Sequence, residues 1–117
     1  MIRNYQDLIV WQRSIDLVEA LYRITERLPL NEQFGLTAQM RRSAVSVPSN
    51  IAEGYGRQAT REYRHHLLIS RGSLLELETQ LVLCQKLNYL DEHATEPVFK
   101  QINEIAKMLG SLISKLS

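Results

Sequence analysis

The chain has 117 residues and a single cysteine, Cys84, so an internal disulfide and a cysteine zinc site are both excluded. Its formal net charge of +1 gives no reason to expect strong nonspecific attraction to nucleic acid or anionic lipid, so any such binding must come from local clustering. No apolar run approaches the roughly 18 residues a membrane span needs, and the start MIRNYQDLIVWQRS lacks a signal-type apolar stretch, so a cytoplasmic, single-domain protein is expected.

The first helix is predicted over about 7–28, with Asp7 as its cap and Pro29 as its stop. Two apolar stripes run along it, Leu8, Trp11, Ile15, Val18 and Tyr22 beside Leu17, Leu21, Ile24 and Leu28. That face is wider than one neighbour needs, and Trp11 reads as a core or interface anchor. A second helix is predicted over about 32–55. Phe34, Met40, Ala44, Val47 and Ile51 recur at helical spacing, and Gly54 or Gly56 ends the run. Pro48 lies inside it, where a regular helix loses one amide and about 3 kcal/mol, so a kink is expected.

The third helix, about 60–88 with Thr60 as cap, carries a sustained heptad seam: Tyr63, Leu67, Ser70, Leu74, Leu77, Leu81, Cys84 and Asn88. Leu68, Leu75 and Val82 add a flank seven apart. Gly72 and Ser73 interrupt the helix with small residues that suit the close approach of another helix. The fourth, about 92–116, starts between Asp91 and Thr95 with Pro97 in its first turn, and Val98, Ile102, Ile105, Leu109, Leu112 and Leu116 repeat the seam. No stretch alternates like a strand. Four amphipathic helices on short turns predict an all-α, antiparallel up-down-up-down four-helix bundle, and the double-width faces predict self-association.

Catalytic patterns are scarce. Glu62-x-x-His65 has the spacing of bundle di-metal sites, but there is no second copy; His65 and His66 lie about 100° apart on a helix and do not chelate one ion together. Cys84 sits on the seam with no histidine within a turn and reads as core. Gly54 and Gly56 form only G-x-G, short of a dinucleotide loop. We expect no catalytic residue, metal or cofactor.

Charge is the remaining signal. Residues 1–72 hold ten arginines against seven acids, and residues 73–117 hold four lysines against six. Between Gln39 and Arg71 stand Arg41, Arg42, Arg57, Arg61, Arg64 and Arg71 against Glu53 and Glu62. Arg57, Arg61, Arg64 and Arg71 follow 4, 3 and 7 spacing, which makes a stripe able to meet phosphates; pairing with Glu53, Glu62 or a neighbouring subunit is the competing use.

The segments DLIVWQRSIDLV, NEQFGLTAQMRRSAVSVPSNIAEGYGR, RGSLLELETQL and EIAKMLGSLISKL together resemble the 23S rRNA intervening-sequence proteins nearly end to end, with Ser43 and Val47 where alanine and isoleucine are usual. The resemblance implies a left-handed four-helix bundle assembling into a ring-shaped homopentamer, in a family found within large-subunit rRNA gene insertions and elsewhere in bacterial genomes. It implies kinship with the accessory variability determinant proteins of diversity-generating retroelements, basic pentamers that bind nucleic acid and a reverse transcriptase. The family's central motif falls on Arg41, Arg42, Pro48, Asn50, Glu53 and Gly54. We read Pro48 as bending the second helix, with Asn50 and Glu53 satisfying the freed backbone or clamping arginines. The expected function is a non-enzymatic oligomer contacting RNA, DNA or a nucleic-acid enzyme; the alternative is a protein-interaction module whose arginines bridge subunits.

Overall fold

The computed structural model describes residues 1–116, and among these there are four long helices and no strand: α1 (Ile9–Thr25), α2 (Leu36–Gly56), α3 (Thr60–Lys86) and α4 (Glu92–Lys115). α2 packs on α1 and α3, and α4 packs on α1 and α3, so the helices form a square in chain order. Contacts across each seam run in opposite directions. Met40 meets Cys84, Val47 meets Ser70 and Asn50 meets His66 between α2 and α3; Arg13 meets Glu104 between α1 and α4; Gln85 meets Thr95 between α3 and α4. This is an antiparallel up-down-up-down bundle.

The core is the α3 seam together with one stripe from each neighbour. Leu67, Leu74, Leu77, Leu81 and Cys84 meet Leu17 and Leu21 of α1, Met40, Ala44, Val47 and Ile51 of α2, and Ile102, Ile105 and Leu109 of α4. Each buried leucine or isoleucine is worth about 1.5–3 kcal/mol of apolar burial. On α1 it is Leu17, Leu21 and Ile24 that face inward. Ile15 and Tyr22 of the other stripe each remain 41% exposed. Cys84 has its thiol against the Met40 sulfur at 3.6 Å, and burial raises its pKa to about 11, so it is a core thiol held protonated.

The helix ends differ from the predicted ones for local reasons. Asp7 caps a short 3-10 turn (Tyr5–Asp7) and not α1, its carboxylate accepting the amides of Arg3 and Asn4; Leu8 is extended and α1 begins at Ile9. α1 loses its regular bonding at Thr25, and the last residues before Pro29 close tighter i to i+3 bonds, Arg27 to Ile24 and Leu28 to Thr25. α2 starts at Leu36 because residues 30–32 form their own 3-10 turn; Glu32 then caps it, its carboxylate accepting the Leu36 amide at 3.1 Å. α3 is capped by Ala59 with no side-chain bond, Thr60 being already helical. It ends at Lys86, where Asn88 takes a left-handed φ of 62°. Asp91 caps α4 at the Ala94 amide, and Pro97 falls a turn deeper than the first turn. Helix α2 runs unbroken through Pro48.

Small residues set the closest seam, α2 on α3. A Cβ at Gly54 would stand 2.7 Å from the Cβ of His66 and 3.1 Å from the Tyr63 ring, so only glycine allows that approach. Gly56 is followed by Arg57 and then Gln58, and it is Gln58, at φ 64°, that takes the left-handed turn. Gly72 is different from Gly54: nothing within 4 Å would meet its Cβ, so no helix of this chain explains it, whereas Ser73 bonds Ser46 across the seam at 2.9 Å.

Candidate nucleic-acid interface

The six arginines that cluster in sequence are divided by the fold. Arg41 is fastened to the end of α1: its Nε donates to the Thr25 hydroxyl at 3.0 Å, a terminal nitrogen donates to the Tyr22 carbonyl, and the guanidinium stands 4.5 Å over the Tyr22 ring. That geometry satisfies an orphan carbonyl at a helix C-terminus and adds a cation–π contact, which makes Arg41 a strut between α1 and α2. Arg42 is exposed on the outer ridge of α2 and makes no ion pair among the described residues.

Arg57, Arg61 and Arg64 gather at the opposite end, around the α2–α3 turn, and Arg71 stands near the middle of α3. Arg57 donates to Glu53 at 2.8 Å, an i, i+4 pair; the bond lowers the Glu53 pKa and raises that of Arg57. Glu53 also lies 4.0 Å from His66, whose Nδ1 is 3.0 Å from the Asn50 carboxamide oxygen. Asn50 in turn donates to the Ser46 carbonyl and hydroxyl. So Asn50 does not reach the Ala44 carbonyl that Pro48 leaves without its amide. Arg61 and Arg71 are exposed, Arg64 is half-buried with its Nε enclosed and unbonded, and none of the three is ion-paired among the described residues. Arg61 to Arg71 spans about 15 Å at 1.5 Å per residue. His65 is exposed, and no group of three metal-capable side chains assembles among the described residues.

The fold turns a weak sequence asymmetry into an axial one. Take the bundle in two halves at mid-height and set aside the Arg13–Glu104 pair, which straddles the middle. The half with the α2–α3 turn carries Arg3, Arg57, Arg61, Arg64, Arg71, Lys107 and Lys115 against Asp7, Asp16, Glu53 and Glu62. The other half carries six basic against eight acidic side chains. One end is therefore +3 and the other −2. Helix dipoles do not produce this, since antiparallel helices cancel. Spacing along the sequence found the stripe Arg57, Arg61, Arg64, Arg71 but not Lys107 and Lys115, which join it only through the antiparallel fold.

The lateral faces divide as well. Tyr5, Trp11, Ile15, Val18, Val45, Pro48 and Ala52 line an apolar groove between α1 and α2. It continues past Val45 to Tyr22 and Phe34, the last 90% exposed. On the far side, α3 exposes Leu75 and Val82.

A family model described as 23S rRNA-intervening sequence protein matches residues 6–111. The chain belongs to that family. A solved structure similar to it is a protein of unknown function from the S23 ribosomal protein family of Bacteroides thetaiotaomicron VPI-5482, 27% identical with a TM-score of 0.82, over 90% of this chain and 98% of that one. No curated protein matches the chain. Membership in the 23S rRNA-intervening sequence family thus carries the bundle as a shared architecture, and the family relative in hand is itself of unknown function.

Proposed function

We propose that this protein is a non-enzymatic, cytoplasmic oligomer that contacts the phosphate backbone of RNA or DNA, or an enzyme bound to it, through its basic end. The observation that carries the reading is the placement of Arg61, Arg64 and Arg71, without ion pairs among the described residues, along the half of α3 that lies in the +3 half of the bundle. Unpaired guanidinium groups suit phosphate oxygens, and contacts of this kind are sequence-independent and salt-sensitive.

Self-assembly multiplies the effect. The α1–α2 groove and the Leu75–Val82 face of α3 are apolar, unlike each other and on opposite sides of the square, which suits head-to-tail pairing of copies. A head-to-tail contact that closes makes a ring, and a homopentamer presents five basic ends on one rim, where weak contacts add by avidity.

The test is a titration of labelled structured RNA and of single-stranded DNA against wild type and Arg61→Glu/Arg71→Glu between roughly 50 and 200 mM salt, with mass measured in parallel. We expect wild-type affinity to fall steeply with salt, and the variant to keep its mass while binding at least tenfold more weakly. Binding that is absent in wild type, or unaltered in an intact variant, would overturn the reading. A variant that falls apart while wild type binds nothing would instead assign these arginines to subunit contacts.

A further inference from the structure

Asn50, Glu53 and Gly54 of α2 converge on one side chain of α3, His66. The His66 side chain is only 14% exposed, and Gly54 seats it, since a Cβ there would stand 2.7 Å from the His66 Cβ. Asn50 fixes where the ring carries its hydrogen. The Asn50 amide nitrogen donates to the Ser46 carbonyl and hydroxyl, and a carbonyl donates nothing in return, so the carboxamide has one orientation. Its oxygen therefore faces the ring, and His66 Nδ1, 3.0 Å away, donates to it. In the neutral ring the other nitrogen, Nε2, then keeps a bare lone pair. It stands 4.0 Å from Glu53 Oε1, the same oxygen that accepts Arg57 at 2.8 Å.

A lone pair opposite a carboxylate is a mismatch that a proton removes. Protonated at Nε2, His66 donates at both nitrogens, to Asn50 and toward Glu53, and two cations then share one carboxylate oxygen. His66 is pinned by Asn50 and Gly54, whereas Arg57 is half-exposed and has its one side-chain bond among the described residues to Glu53, so Arg57 is the partner that leaves. The coupling is present at Glu53, whose pKa is held below its ordinary value first by the Arg57 bond and second by the charge of His66. Around the ring on α3 stand Glu62, which acts on Arg57 only at a distance, Tyr63, and His65, its ring centre 5.8 Å from that of His66. The charged groups of α4 at this end are Lys107 and Lys115, and no carboxylate of α1 or α4 pairs with the ring among the described residues. We propose that His66 is a proton switch for the basic end: on taking up a proton at Nε2 it claims Glu53, releases Arg57 toward solvent, and so tightens the hold on a phosphate backbone as pH falls. The release is a property of the fold, and its effect on binding rests on the reading of the basic end given above.

Two measurements test it. Magnetic resonance spectra of protein labelled at arginine and histidine side-chain nitrogens, from about pH 8 to about pH 5.5 without nucleic acid, follow the release. The Arg57 Nε signal is expected to move with the His66 titration in wild type and in His65→Gln, and to stay still in His66→Gln. Binding of an oligothymidylate strand, whose bases take up no proton in this range, is expected to be at least about threefold tighter at about pH 6 than at about pH 8 in the same salt. Glu53→Gln, at a half-exposed position, is expected to bind at the higher pH as tightly as wild type does at the lower, and to gain less than about twofold on acidification. Should His66→Gln not fold, Glu53→Gln decides. An Arg57 signal that ignores the His66 titration, or salt-sensitive binding of equal strength at both pH values, overturns the switch and leaves the phosphate reading standing. Absence of binding at both overturns the phosphate reading, and the Arg57 signal then decides the release by itself.

Discussion

Gly54 and Gly72 are chemically identical residues in two helices that the fold uses in opposite ways. A methyl group at Gly54 meets the Cβ of His66 and the ring and carbonyl of Tyr63, none of which is the free end of a flexible chain. Gly54→Ala is therefore expected to destabilise by about 1–3 kcal/mol, read from urea midpoints. Gly72→Ala meets nothing within the chain and gains the helix propensity of alanine, so it is expected to stabilise by about 0.5–1 kcal/mol. Spacing marked both residues but did not separate these roles, because which glycine faces a neighbour is a property of the neighbour. The same holds for Arg41 and Arg42. Adjacency sets them about 100° apart, so that at most one enters a packed layer, but it does not say that Arg41 is the one, spent on Tyr22 and Thr25 sixteen to nineteen residues away.

Among the elements, α3 was the most legible and α1 the least. Every seam residue of α3 from Leu67 to Cys84 is buried, because the 4, 3, 4, 3 seam places a side chain at every turn, whereas the Leu68, Leu75 and Val82 flank recurs only every seventh residue. α1 carries two stripes of equal quality, and only the positions of α2 and α4 decide that Leu17 and Leu21 go inside. The turns were legible only in part, since a carboxylate bonding two elements leaves no mark in spacing. Glu32 is the instance: it receives the Leu36 amide with one oxygen and the Tyr89 hydroxyl with the other at 2.8 Å, tying the α1–α2 connection to the α3–α4 connection. The Leu36 amide and then Tyr89 hold the Glu32 pKa below its ordinary 4.5. A depressed carboxylate stabilises the fold above its unfolded pKa and loses that contribution as pH falls through the folded value. Glu32→Gln is expected to flatten the acid limb of the stability–pH curve in that window relative to wild type, a difference checked by urea unfolding at successive pH values. An unchanged acid limb would show that the tie contributes nothing.

For the whole molecule, the two apolar faces and the charge separation act together. Leu75, 60% exposed on the α3 face, is expected to matter to the proposed assembly and not to the chain's own fold. Leu75→Glu should keep its helical circular dichroism and lower the mass in light scattering to that of smaller species. Loss of helicity would place Leu75 in the core, against its exposure; full mass would remove this face from the contact. The axial separation of charge has a further effect. The molecule is 43 Å long and about half as wide, with +3 toward one end and −2 toward the other, so its electrical behaviour is that of a dipole more than of a monopole. A uniform field hardly pulls a body of net charge +1, but it exerts a torque on one with separated charge. Near a polyanion the protein is turned before it touches, arriving with the α2–α3 turn in front and the connections at the other end facing away. For the proposed contact with a phosphate backbone, association is then expected to be fastest in the one orientation that leaves the far end free, with added salt slowing that alignment as well as weakening the contact.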